Sequence, residues 1–196
     1  MEPMLEQVRA LWPWEALAVV LAIAYLLLAI RQHIGCWAAG IASTLIYLVL
    51  FCGAALYTEA VLQLFYIGVS VYGWRHWRRP AAAPLPVTRW PLRHHAGALA
   101  VVLALGLANG ALLAAYTPAA LPYADALVAW ASVLATWMVA RKLLENWLWW
   151  FAIDSASIWI YAQRGLWLTV LLFALYLVLI VRGWSSWRRD LVARPA

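Results

Sequence analysis

The sequence predicts an all-α membrane protein of seven transmembrane helices, arranged as two parallel three-helix repeats joined by one unpaired helix. An apolar excess, a one-sided distribution of basic residues and an internal repeat all point to it. Of 196 residues, 67% are apolar and 11% charged, against about 45–50% and about 25% in soluble domains. A soluble fold of this length cannot hide so much apolar surface, so lipid must cover part of it. The net charge of +6 does not mark a nucleic-acid binder, because the basic residues cluster between apolar runs instead of forming a solvated face.

A spanning helix needs about 20 mostly apolar residues. Seven segments qualify: 13–30, 35–55, 59–75, 96–116, 119–140, 147–163 and 165–182. The short gaps after the second and the sixth suit antiparallel hairpins. Residues 75–95 contain Pro80, Pro84, Pro86 and Pro91 and read as an extended linker. Helices are expected because open sheet edges cannot sit in hydrocarbon, and the runs lack the alternation of barrel strands. The opening MEPMLEQVRALWPWE is acidic and polar, unlike a cleavable signal peptide.

Seven crossings divide the basic residues unevenly. Of 14 lysines and arginines, only Arg9 and Arg164 fall on the side of the N-terminus. The positive-inside rule then predicts the N-terminus outside and the C-terminus in the cytoplasm.

Sliding the sequence by 110 residues aligns it with itself without gaps. Arg31 falls on Arg141, Trp37 on Trp147, Leu56 on Leu166 and Tyr66 on Tyr176. Gly73-Trp74 falls on Gly183-Trp184, and Trp77-Arg78-Arg79 on Trp187-Arg188-Arg189. Coincident Trp, Gly and Arg are rare enough to mark a repeat. The expected organisation is a first repeat over 1–79, a linker and unpaired fourth helix over 80–118, and a second repeat with a cytoplasmic tail over 119–196. Parallel repeats of this kind occur in transporters, with the substrate site at the repeat interface near midplane.

Polar residues inside apolar spans are costly and mark function. Asp154, in IDSASIWIY, is the sharpest, and Ser155, Ser157 and Tyr161 extend it into a polar stripe. Gln63, in VLQLFY, needs hydrogen-bond partners, and Tyr66 lies one turn further on. Thr44 is the repeat equivalent of Asp154. Glu145 and Asn146 precede the sixth span as a helix cap or as substrate contacts. Trp150 lies one turn before Asp154, close to Trp147. An aromatic face beside a carboxylate suits a flat organic cation, through cation–π attraction and charge. The other tryptophans, Trp12, Trp14, Trp74, Trp77, Trp184 and Trp187, read as interfacial belt or packing residues.

Other signals point nowhere. Cys36 and Cys52 read as small apolar packing residues, and His33, His94 and His95 have no third ligand at metal spacing. Gly106 and Gly110, in GLANG, match a GxxxG packing motif. No nucleophile elbow, phosphate-binding loop or HExxH pattern is present, so neither an enzyme nor a cofactor is expected.

Two segments, LYTEAVLQLFYIGVSVYGW and ENWLWWFAID, resemble the PnuC family of bacterial vitamin transporters, whose type member carries nicotinamide riboside. The resemblance runs over roughly residues 13–189. It implies a 3+1+3 fold like that of SWEET sugar transporters, a homotrimer in the bacterial inner membrane, and facilitated uptake trapped by cytoplasmic phosphorylation. Carried onto this sequence, it implies a substrate site drawing on Trp37, Thr44, Gln63, Tyr66, Trp147, Trp150, Asp154 and Tyr161. Two departures, Thr44 in place of Asn or Ser and Ala38 in place of Pro, leave thiamine open beside nicotinamide riboside. A proton-coupled carrier using Asp154 as a relay is a further alternative.

Overall fold

The computed structural model describes residues 2–53, 57–78, 85–118, 120–163 and 167–193. Leu56, Arg79, Pro80, Pro84, Arg164, Leu166 and Arg194 lie outside the described residues, as do the side chains of residues 2–12, 57–59 and 168. The structure describes seven helices: α1 (Glu2–Ile30), α2 (Gly35–Gly53), α3 (Tyr57–Trp77), α4 (Leu92–Tyr116), α5 (Pro122–Ala140), α6 (Asn146–Gln163) and α7 (Trp167–Ala193). Five of them are long and apolar enough to cross a membrane. The two that fall short, α3 and α6, carry the polar load: Gln63 and Ser70 on one, Asn146, Asp154, Ser155 and Ser157 on the other.

The chain divides into two compact units, Met1–Pro84 with α1–α3 and Leu85–Ala196 with α4–α7. In the first, α2 packs on both α1 and α3. Small residues let the backbones approach, as in membrane helices generally. Ala18 and Ala29 are buried on α1, and the Ser43 hydroxyl donates to the Ala18 carbonyl at 2.8 Å. In the second unit, α5 packs on α4 and α6, and α6 on α7.

Gly106 and Gly110 face α5. A Cβ on Gly110 would lie 2.9 Å from the Tyr123 Cα, so backbone would have to move, whereas one on Gly97 of the same helix would meet nothing within 4 Å. Gly110→Ala is therefore expected to lower stability in detergent by about 1–3 kcal/mol. Gly97→Ala should not, and thermal unfolding of the two variants side by side checks the difference.

The 110-residue register reappears in local geometry. Gln32 and Lys142, which correspond, are the only described non-glycine residues with positive φ, at 54° and 52°. Each ends its helix in a Schellman turn. His33 N–H donates to Leu28 O at 2.9 Å and Gln32 N–H to Ala29 O at 2.9 Å; Leu143 N–H donates to Met138 O at 3.0 Å and Lys142 N–H to Val139 O at 2.9 Å. Beyond each turn stands a tryptophan on a glycine. Trp37 meets Trp77 edge-on at 5.3 Å and 84°; Trp147 meets Trp187 at 5.4 Å and 88°. Gly73 and Gly183 leave room for the Trp37 and Trp147 indoles.

Those contacts explain why α3 and α7 run past the expected span ends at 75 and 182. Trp77 is 8% exposed and Trp187 0%, so both are packing residues that hold their helices in register. Trp14 and Trp74 are exposed, at 57% and 41%, as a membrane-facing residue would be.

Candidate functional site

Helix α6 places Trp150, Asp154, Ser157 and Tyr161 at spacings of four, three and four residues, which is one face. Asp154 and Ser157 are each 3% exposed, while Trp150 and Tyr161 are half-buried. No hydrogen bond or ion pair reaches the Asp154 carboxyl group among the described residues. Tyr161 stacks at a tilt on Phe173 of α7, 5.3 Å between centroids. Ser155 does not belong to this stripe. It is exposed, and its hydroxyl bonds back to Phe151 O at 2.7 Å, because one residue along a helix turns the side chain by about 100°.

Trp147 shares the helix but is packed differently. It is 1% exposed, wedged over Gly183 and against Trp187, and Trp37 is likewise 0% exposed over Gly73. Both indole N–H groups are buried without an acceptor among the described residues. The indole bodies thus build each unit's interior, and only their N–H groups are left for other work.

In the first unit, Gln63 and Tyr66 are half-buried on α3, one turn apart. They share a face with Ser70, which is 4% exposed, whereas the intervening Leu64 and Phe65 are 55% and 53% exposed. Thr44, on α2, uses its hydroxyl on its own helix, donating to Gly40 O at 2.7 Å. It corresponds to Asp154 in the 110-residue register, but its polar atom is already engaged.

Tyr25 went unnoticed in the sequence. It packs edge-on to Trp37 at 6.0 Å and against Gly40, and its hydroxyl is buried without a partner among the described residues. A lone tyrosine within the apolar run AIAYLLL, with a glycine on the next helix to receive it, was the available signal. Glu145 is neither a simple cap nor an open contact: its carboxylate binds Arg89 at 2.9 Å and the Trp90 N–H at 3.2 Å. Asn146 does not cap either: its amide donates back to Leu143 O at 2.6 Å, and its Oδ1 is left buried without a donor among the described residues. A shallow groove of about 150 Å³ on α6 and α7, lined by Trp147, Leu148, Phe151, Ile180, Val181 and Trp184, does not include Asp154.

The arrangement offers a buried carboxyl group, hydroxyls and aromatic rings. Among the described residues there is no group of three potential metal ligands. Such groups can hold a cationic or hydroxyl-bearing ligand.

Comparison with known proteins agrees. A family model described as nicotinamide mononucleotide transporter matches residues 12–189. The nicotinamide riboside transporter PnuC of Escherichia coli (strain K12) is 24% identical over 200 residues, covering 88% of this chain and 84% of that protein. The riboflavin/roseoflavin transporter RibM of Streptomyces davaonensis is 26% identical over 185 residues, covering 90% and 85%. Among solved structures, that of the vitamin B3 transporter PnuC superposes with a TM-score of 0.72 at 20% identity, covering 92% of this chain and 82% of that one. With nearly the whole chain inside the family match and the fold shared, the protein belongs to the PnuC family and is a multi-pass membrane transporter, not an enzyme.

Proposed function

We propose that the protein carries a cationic aromatic vitamin precursor, nicotinamide riboside first, across the bacterial inner membrane by facilitated diffusion. The observation that carries this reading is the α6 face, where Asp154 is 3% exposed yet has no ion-pair partner among the described residues. A buried carboxylate without a counter-charge is expensive. A pyridinium or similar cation would supply the missing charge, and Trp150 and Tyr161 would offer ring faces to it. Gln63 and Tyr66, on the first repeat, are the candidates for hydrogen-bonding ribose hydroxyls. Trp37 and Thr44 in the first repeat and Trp147 in the second would support the binding residues of their own helices from within.

The wider architecture belongs to the same proposal: all seven helices crossing the membrane in a parallel 3+1+3, SWEET-like order, the N-terminus outside, and a homotrimer as the working assembly. It draws support from the matching Schellman turns and Trp–Gly pairs of the two repeats and from the one-sided basic residues. Metabolic trapping by phosphorylation would give the uptake its direction.

A flavin reading competes, because the riboflavin/roseoflavin transporter is as similar in sequence as the nicotinamide riboside one. Its isoalloxazine is neutral and would leave Asp154 without a counter-charge. Thiamine, another cation, is the rival within the cationic reading. Uptake into proteoliposomes with nicotinamide riboside, thiamine and riboflavin as radiolabelled substrates should show saturable entry of nicotinamide riboside without a proton gradient. Entry of riboflavin alone would overturn the cationic reading, and entry only under an imposed proton gradient would replace facilitated diffusion with proton coupling.

A further inference from the structure

The segment leading into α4 is stitched to the turn between α5 and α6. Thr88 and Leu143 form an isolated parallel bridge, with Thr88 N–H donating to Lys142 O at 3.0 Å and Leu144 N–H to Thr88 O at 2.9 Å. The next two residues of the segment converge on Glu145. Arg89 Nε lies 2.9 Å from its Oε1, and the Trp90 N–H donates to its Oε2 at 3.2 Å. The first turn of α4 closes the knot: His95 Nδ1 accepts the Trp149 indole N–H at 3.3 Å, and His95 Nε2 stands 4.0 Å from Glu145 Oε2. Trp90 packs between His94, His95 and Trp137 at 5.5–5.6 Å.

Glu145 holds this strap while also starting α6. Its carbonyl accepts the N–H groups of Leu148 and Trp149, at 3.0 and 3.2 Å. Its side chain is 8% exposed, whereas that of Arg89 is 60% exposed. The carboxylate is thus a buried group whose partners come from another segment, and removing it would strand the Trp90 N–H and leave the strap without its anchor. The first repeat has no counterpart: Gly35 stands at the Glu145 position, and its N–H is capped by His33 Nδ1 from the same turn at 3.1 Å. The strap is a difference between two repeats that otherwise share their turns.

We propose that Glu145 is a positioning residue for transport, fixing the first turn of α6 through its clasp on Arg89 and Trp90 and so setting the angle at which Trp150 and Asp154 are presented. This rests on the α6 face being the substrate site. A helix start held at the residue just before it transmits any tilt along its length, and a carboxyl group misplaced by about 1 Å is enough to weaken binding severely.

The test pairs transport kinetics with hydrogen exchange in the purified full-length protein. Glu145→Ala is expected to raise the KM for nicotinamide riboside about tenfold with Vmax largely retained, and Glu145→Asp to restore most of it. Arg89→Gln, an exposed change that should not threaten folding, is expected to raise KM in the same direction. The double variant Arg89→Gln/Glu145→Ala should be no worse than Glu145→Ala alone, because both act through one strap. Exchange at Trp147, Leu148 and Trp149 amides should quicken in Glu145→Ala, with α1–α3 unchanged. If Glu145→Ala does not fold, an unchanged KM in Arg89→Gln overturns the proposal, as does a fall in Vmax alone. If the wild-type protein carries no nicotinamide riboside, the functional reading fails, and unaltered α6 exchange in Glu145→Ala then overturns the strap independently.

Discussion

Gly183→Ala is expected to destabilise the protein by about 3 kcal/mol, at the upper end of what a single added methyl costs in a packed interior. The new Cβ would lie 2.5–2.6 Å from the Cη2, Cζ2 and Cζ3 atoms of Trp147, and no heavy atoms rest that close. The indole has nowhere to go, being 1% exposed and set edge-on against Trp187, itself 0% exposed. Thermal unfolding in detergent should show a fall in midpoint for Gly183→Ala and a comparable one for its repeat mate Gly73→Ala. The colliding atoms all belong to the far edge of the indole, which phenylalanine lacks. Trp147→Phe introduced with Gly183→Ala should therefore be less harmful than the two separate costs added together. Strict additivity would show that the glycine matters for some reason other than room for the ring.

Asp154→Asn is expected to raise the KM for nicotinamide riboside by about 10–100-fold, the weight of one charged hydrogen-bonding partner. Its effect on folding should run the other way. With no ion pair to lose among the described residues, replacing a buried carboxyl group by an amide of the same shape should leave the unfolding midpoint unchanged or higher. A raised KM with a midpoint unchanged or higher identifies a ligand group. A lower midpoint with an unchanged KM would make Asp154 part of the scaffold and return the substrate question to Gln63 and Tyr66.

The helices were legible from composition, since runs of 18 or more apolar residues have few alternatives in lipid. Their ends were less so. Trp77 and Trp187 stand where belt residues stand, and nothing local distinguishes an indole facing lipid from one buried on a neighbouring glycine. Asp154, Trp150 and Tyr161 could be placed on one face by helical spacing alone, and the structure keeps them there. Adjacency alone groups Ser155 with them, a relation a helix does not respect. Its place before a helix suits Glu145 to a cap or a substrate contact; its partner Arg89 lies 56 residues away, beyond any periodic signal.

By itself, then, the sequence determined that this protein is helical, lives in a membrane, and repeats itself after 110 residues. Such properties come from composition and spacing, which survive without knowledge of contacts. Only the tertiary structure decided which tryptophans are structural, which polar groups are already satisfied, and that one repeat is tied down by Glu145 where the other has only Gly35. Those outcomes depend on which surfaces meet, and residues brought together from distant parts of a chain leave no mark on the order in which they are written.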